Sequence, residues 1–131
     1  MSSSVDAVWR RPSTSTLRVL VKAPGTKAVP VFYPYSETTD RILMLGSIVG
    51  GPIHLVPLTP NTGERLILVF NTNALRDNAA PLNLILPHVS DGVQIPGTVC
   101  VITPNTSGHF VSLTDEQCRR GIALLSEFAQ P

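Results

Sequence analysis

The chain has 131 residues and a mass of 14.1 kDa, enough for one domain and short for two. Hydrophobic residues make up 43% and charged residues 15%, against roughly 25% charge in typical globular domains, which excludes a wholly disordered chain. A formal net charge of +1 with 5% aromatic residues argues against a nucleic-acid surface or an anionic-membrane footprint.

Residues 1–16, rich in Ser and Thr, read as a flexible N-terminal arm ahead of a single domain at 17–131. Within the arm, Trp9 is suited to dock onto the domain or a partner, and Arg10-Arg11-Pro12-Ser13 fits a basophilic kinase pattern. The arm has no apolar leader run, which predicts an intracellular, cytoplasmic protein. The Asn105-Thr106-Ser107 sequon is then not expected to carry glycan. Residues 42–64 are uncharged up to Glu64, but Gly46, Gly50, Gly51, Pro52, Pro57 and Pro60 break them up, so no membrane span is expected.

Residues 17–23 alternate as a strand, with Leu17, Val19 and Val21 on one face and Leu20 on the other. Pro24-Gly25 supplies a turn into a second strand at 29–35. Pro30 and Pro34 cannot donate ladder hydrogen bonds, so this strand belongs at a sheet edge. Residues 36–51 predict a helix, with Ser36 or Thr39 as cap and Glu37 and Asp40 suiting its start. Ile42, Leu45, Ile48 and Val49 form a helical stripe that Leu43 and Met44 widen, so the helix is expected to be mostly buried. Gly50-Gly51-Pro52 ends it.

A short strand at 53–58 and an apolar run at 65–71 predict a second hairpin across the turn residues between them. The run Leu66-Ile67-Leu68-Val69-Phe70 is apolar on both faces, the pattern of a covered central strand. Residues 71–91 are irregular, with a short strand at 82–86. A firmer strand spans 98–103, and 109–113 can pair with it across the turn at 105–108. Thr114-Asp115-Glu116-Gln117 is a capping box that opens a C-terminal helix. Cys118, Ile122, Leu125 and Ala129 form its stripe, and Gly121 is small enough for close packing.

The twelve prolines agree with this reading. Residues 35–51 and 105–130 contain none and hold the two helices, and residues 61–80 contain none and hold the central strand. The fold class is α+β: a mostly antiparallel sheet of five to seven short strands packed with two helices.

Chemical signals are sparse. His54, His88 and His109 stand alone apart from Asp91, three residues after His88, which completes no metal-ligand pattern, so neither metal nor cofactor is expected. No G-x-S-x-G elbow, Cys-His signature or phosphate loop occurs, and Asp115 and Glu116 suit the helix cap better than acid–base work. Cys100 and Cys118 read as small core residues, not as a disulfide framework. Asn71, Asn73 and Asn83 could form a binding surface together with Asn78, and asparagines in such loops equally supply turns and left-handed positions.

Several landmarks in order resemble the family called domain of unknown function 3846, over about residues 17–128. They are Arg18-Val19-Leu20-Val21 with Pro24-Gly25, Ile48-Val49-Gly50-Gly51, Pro81-Leu82-Asn83, Ile95-Pro96-Gly97-Thr98, and Ser112-Leu113-Thr114-Asp115-Glu116-Gln117. The resemblance implies a small α+β domain of unestablished activity, found in bacteria, phages, mobile elements and some eukaryotes, with some members near anti-restriction genes. His54, residues 71–74 and Leu84 stand where that family commonly carries charge. The expectation is a non-enzymatic binding or protein-interaction module with a protein partner. A mobile-element accessory protein that inhibits a host factor is one alternative, and an enzyme with a diffuse site is the other.

Overall fold

A computed structural model describes residues 16–36, 39–59, 65–75, 81–87, 92–105 and 107–129. Trp9, the Arg10–Ser13 kinase pattern, Glu37, Asn78, the His88–Asp91 pair and the middle residue of the sequon lie outside them. Among the described residues, eight strands and two helices follow in the order β1 (Thr16–Lys22), β2 (Val29–Pro34), α1 (Arg41–Val49), β3 (Ile53–Pro57), β4 (Ile67–Asn71), β5 (Leu82–Leu86), β6 (Val93–Pro96), β7 (Val99–Pro104), β8 (Phe110–Val111) and α2 (Asp115–Phe128). A 3-10 turn, Thr72–Leu75, leaves β4.

The main sheet runs β2-β1-β7-β4-β3, with β8 paired to β7, and β5 and β6 form a second, two-stranded sheet. All pairings are antiparallel. The architecture is the expected α+β one, with both expected hairpins: Val19 lies opposite Val31, and Leu55 opposite Val69. Proline-bearing β2 takes an edge, where its missing donors cost no ladder bonds.

Period-two alternation splits the core into two layers. On one face of the main sheet, Leu17, Val19, Val69, Cys100 and Ile102 meet Leu45 and Val49 of α1. On the other, Leu20, Leu68, Phe70, Val99 and Val101 meet Leu84, Leu86 and Ile95 of the second sheet and Cys118 and Leu125 of α2. Strands β4 and β7 are covered on both sides, which is why they read as unbroken apolar runs.

Helix α1 differs from its sequence expectation in two respects. It begins five residues later than expected, because Ser36 and Thr39 close a turn on each other. The Thr39 amide donates to the Ser36 carbonyl at 3.1 Å, and the Ser36 amide donates to Thr39 Oγ1 at 2.9 Å. Asp40 is the actual cap, accepting from the Leu43 amide at 3.1 Å. The helix is also not mostly buried. Only Leu45 and Val49 are buried, while Ile42 and Leu43 are 62% and 71% exposed. A nine-residue helix laid on one sheet face covers a single stripe. Its end is as expected: Gly50 takes the left-handed conformation at φ +90° and donates to the Gly46 carbonyl at 2.7 Å.

Helix α2 opens on the complete capping box. Thr114 Oγ1 accepts from the Gln117 amide at 3.1 Å, and Gln117 Oε1 accepts from the Thr114 amide at 2.9 Å. Arg18 of β1 ties this end of the helix to the sheet, donating to the Leu113 carbonyl at 2.7 Å and to Asp115 at 2.8 Å. Gly121 faces Leu20 so closely that a Cβ there would fall 2.5 Å from Leu20 Cδ1. The helix can approach the sheet this closely only without a side chain at that position.

Candidate functional site

Leu20 and Lys22 share a face of β1, the face turned toward α2 and the second sheet. At Lys22, alternation therefore sends a cationic side chain inward, and the residue is only 3% exposed. Burial pushes its pKa below the ordinary 10.5, because the charged amine loses water.

Asn83 receives it. Asn83 is fully buried, and its carboxamide oxygen accepts a hydrogen bond from Lys22 Nζ. The carboxamide nitrogen donates to the Lys22 carbonyl at 2.9 Å and to the Gly97 carbonyl at 2.8 Å. The backbone explains how a strand residue comes to point this way. Leu82 pairs with Pro96 and Leu84 with Ile95, so Asn83 is the extra residue of a β-bulge. Bulges re-aim a side chain, and here Asn83 and Leu84 are buried in succession, against the usual alternation.

Beside this clasp a cavity of about 720 Å³ opens between the β1–β2 turn and α2. The turn contributes Gly25, Thr26, Lys27 and Ala28. Gly25 holds φ +77°, and Thr26 fastens the turn by donating from its amide and its hydroxyl to the Ala23 carbonyl. Helix α2 contributes Arg119, Ile122, Ala123 and Ser126, spaced i, i+3, i+4 and i+7 along one face.

The charge of the lining is one-sided. The chain contains two lysines, Lys22 and Lys27, and both line this cavity together with Arg119. No Asp or Glu lines it among the described residues, and neither Lys27 nor Arg119 bonds a carboxylate there. Ala28, Ile122, Ala123 and Ala129 supply apolar wall. Three cations converging on an apolar hollow, with no internal counter-ion, suit an anionic group carried on a small apolar body.

Of the three asparagines picked out in the sequence, Asn83 bonds the lining residue Lys22 without lining the cavity itself, and the other two lie elsewhere. Asn71 ends β4, and its Oδ1 accepts from the Asn73 amide at 2.8 Å. Its carboxamide also packs on Gly51, where a Cβ would fall 2.7 Å from Asn71 Nδ2 and displace that carboxamide. Asn73 is exposed on the 3-10 turn.

A model of the family described as domain of unknown function (DUF3846) matches residues 17–127, covering every element from β1 into α2. The chain belongs to the DUF3846 family. The match shows what kind of domain this is and carries no activity with it. Comparison with curated proteins and with solved structures finds no match to either.

The cysteines of this DUF3846 domain are both buried free thiols. Desolvation pushes Cys100 up to about 12 and raises Cys118, so neither is a ready nucleophile. Among the described residues no helix is long and apolar enough to cross a membrane. Arg119 and Lys27 were missed as site residues because each reads in sequence as an ordinary surface cation. Lys22 left one signal: it shares the strand face of Leu20, where a solvated residue is not expected.

Proposed function

We propose that this DUF3846 domain is a non-enzymatic, intracellular binding module whose cavity takes the anionic group of its ligand. The observation that carries the reading is the convergence of Lys22, Lys27 and Arg119 on one cavity whose described lining has no carboxylate. Its volume of about 720 Å³ falls within the span of roughly 300–1,000 Å³ usual for small-ligand pockets. Two buried free thiols support a reducing, intracellular setting.

The anion is a carboxylate or a phosphate, and it has two sources: a free small molecule, or an acidic segment of a protein partner. Both would place charge against Lys27 and Arg119 at the mouth, with Lys22 in the wall. A free anion with an apolar body fills the Ala28–Ile122 side, whereas a partner segment reaches in from outside.

Thermal unfolding with inorganic phosphate, a short-chain carboxylate and an acidic peptide tests this reading. Saturable stabilisation by at least one probe is expected, about 2.7 kcal/mol at a hundredfold excess over its dissociation constant. Stabilisation by the peptide alone assigns the source to a partner, and stabilisation by the free anions assigns it to a small molecule. Arg119→Glu should abolish the effect. No saturable response to any probe, or a response unchanged in Arg119→Glu, would overturn the reading.

A further inference from the structure

Lys22 is built differently from an anion-binding lysine alone. Its amine is bonded to a neutral carboxamide oxygen, not to a carboxylate, and no acidic side chain approaches it among the described residues. Two further cations, Lys27 and Arg119, share its cavity, and the apolar wall limits solvation. Burial holds Lys22 closer to the neutral amine, the form that attacks carbonyl carbon.

We propose that Lys22 forms a reversible imine with a small aldehyde or ketone that carries a carboxylate or phosphate, the anion resting on Lys27 and Arg119. The proposal rests on the anion-binding reading of the same cavity and adds a covalent bond to it. The lone pair of Lys22 Nζ attacks the carbonyl carbon and the carbon–oxygen double bond opens to a carbinolamine. One water then leaves, carrying the former carbonyl oxygen. With one proton taken up from solvent, the product is a protonated imine in which Nζ keeps a single hydrogen.

Asn83 fits both states. Its oxygen accepts from the free amine now, and the one N–H of the iminium has the same acceptor available. The nitrogen of Asn83 is committed to the carbonyls of Lys22 and Gly97, so the carboxamide cannot turn over and present a donor instead. Asn83 is thus a positioning residue that fixes one N–H of the amine and leaves the lone pair pointing away from itself.

The test uses the full chain with glyoxylate, an aldehyde bearing a carboxylate, under cyanoborohydride, followed by intact mass and peptide mapping. Two lysines and the α-amine compete, and the peptide map separates the three. Apart from the α-amine, the expected result is one reduced adduct, on Lys22 in preference to Lys27 by about tenfold or more. Acetaldehyde, which lacks the anion, should label Lys22 far less. Arg119→Glu, a change at an exposed helix position, should lower the glyoxylate yield severalfold even if Lys22→Met folds poorly. Adducts shared equally between the lysines, or found on Lys27 first, overturn the proposal. Saturable binding of phosphate or acetate with no Lys22 adduct overturns the imine and leaves the anion site standing. Loss of both shows that the binding reading itself has failed.

Discussion

Asn83 holds Lys22 at both ends: its oxygen accepts from the side-chain amine, and its nitrogen donates to the backbone carbonyl of the same residue at 2.9 Å. The third bond, to the Gly97 carbonyl, joins this pair to the loop after β6. One buried side chain therefore ties the main sheet to the second sheet and fixes the position of the amine. Asn83→Ala removes the partner that two carbonyls and an amine share. The expected loss is about 3 kcal/mol or more, since each buried unsatisfied group costs roughly 1–3 kcal/mol. Urea denaturation measures it, and a loss under about 0.5 kcal/mol would show that water replaces Asn83 at no cost.

The lowered pKa of Lys22 gives a pH signature of definite sign. Between its folded pKa and the unfolded value of 10.5, the unfolded chain binds more protons than the folded one. The Lys22 contribution to stability therefore rises with pH across that interval. The difference in denaturation midpoint between the wild type and Lys22→Met should shift toward the wild type on alkaline titration. A difference independent of pH contradicts the desolvated amine.

Cys100 has the opposite sign. Its thiol is raised from 9.0 to about 12, so its contribution is complete below 9.0 and is lost as pH climbs through about 12. The shift corresponds to about 4 kcal/mol over that span. In native protein near about pH 8, Cys100 should resist thiol reagents that label it at once after unfolding. Cys118, nearer the helix surface, should be modified first. Rapid labelling of both in the native state would contradict the burial described.

Gly121→Ala sets helix propensity against packing. Alanine favours a helix interior by about 1 kcal/mol over glycine. The new Cβ, however, would lie 2.5 Å from the tip of fully buried Leu20. Crowding of this kind costs about 1–3 kcal/mol, so a net loss is expected. Leu20→Val, which removes the obstructing methyl, should reduce the penalty of Gly121→Ala in a double-mutant cycle. Additive effects would mean that Leu20 moves aside freely.

Most of the architecture was legible in the sequence because its signals are local. The Thr114–Gln117 cap, the Gly50 helix end and the Pro24-Gly25 turn each act within four residues. The apolar run of β4 announces a strand covered on both faces. Strand β6 escaped notice because Val93–Pro96 is only four residues long and follows an irregular stretch. The exposure of Ile42 and Leu43 was also illegible, since a helix pattern does not say how wide a face its partner offers. The site was half visible. Asn83 could be picked out by residue type, but its bulge depends on the register against β6, and the inward turn of Lys22 onto it spans 61 residues of sequence.

The central claim is that the hollow between the β1–β2 turn and α2 is an anion site, and amide NMR mapping during a titration with inorganic phosphate and with acetate tests it most directly. Saturable shifts are expected, confined to residues 25–28 and to Arg119, Ile122, Ala123 and Ser126, and weakened in Arg119→Glu. Shifts spread evenly over the surface, or centred on Ile42, Leu43 and the far end of the sheet, would contradict it.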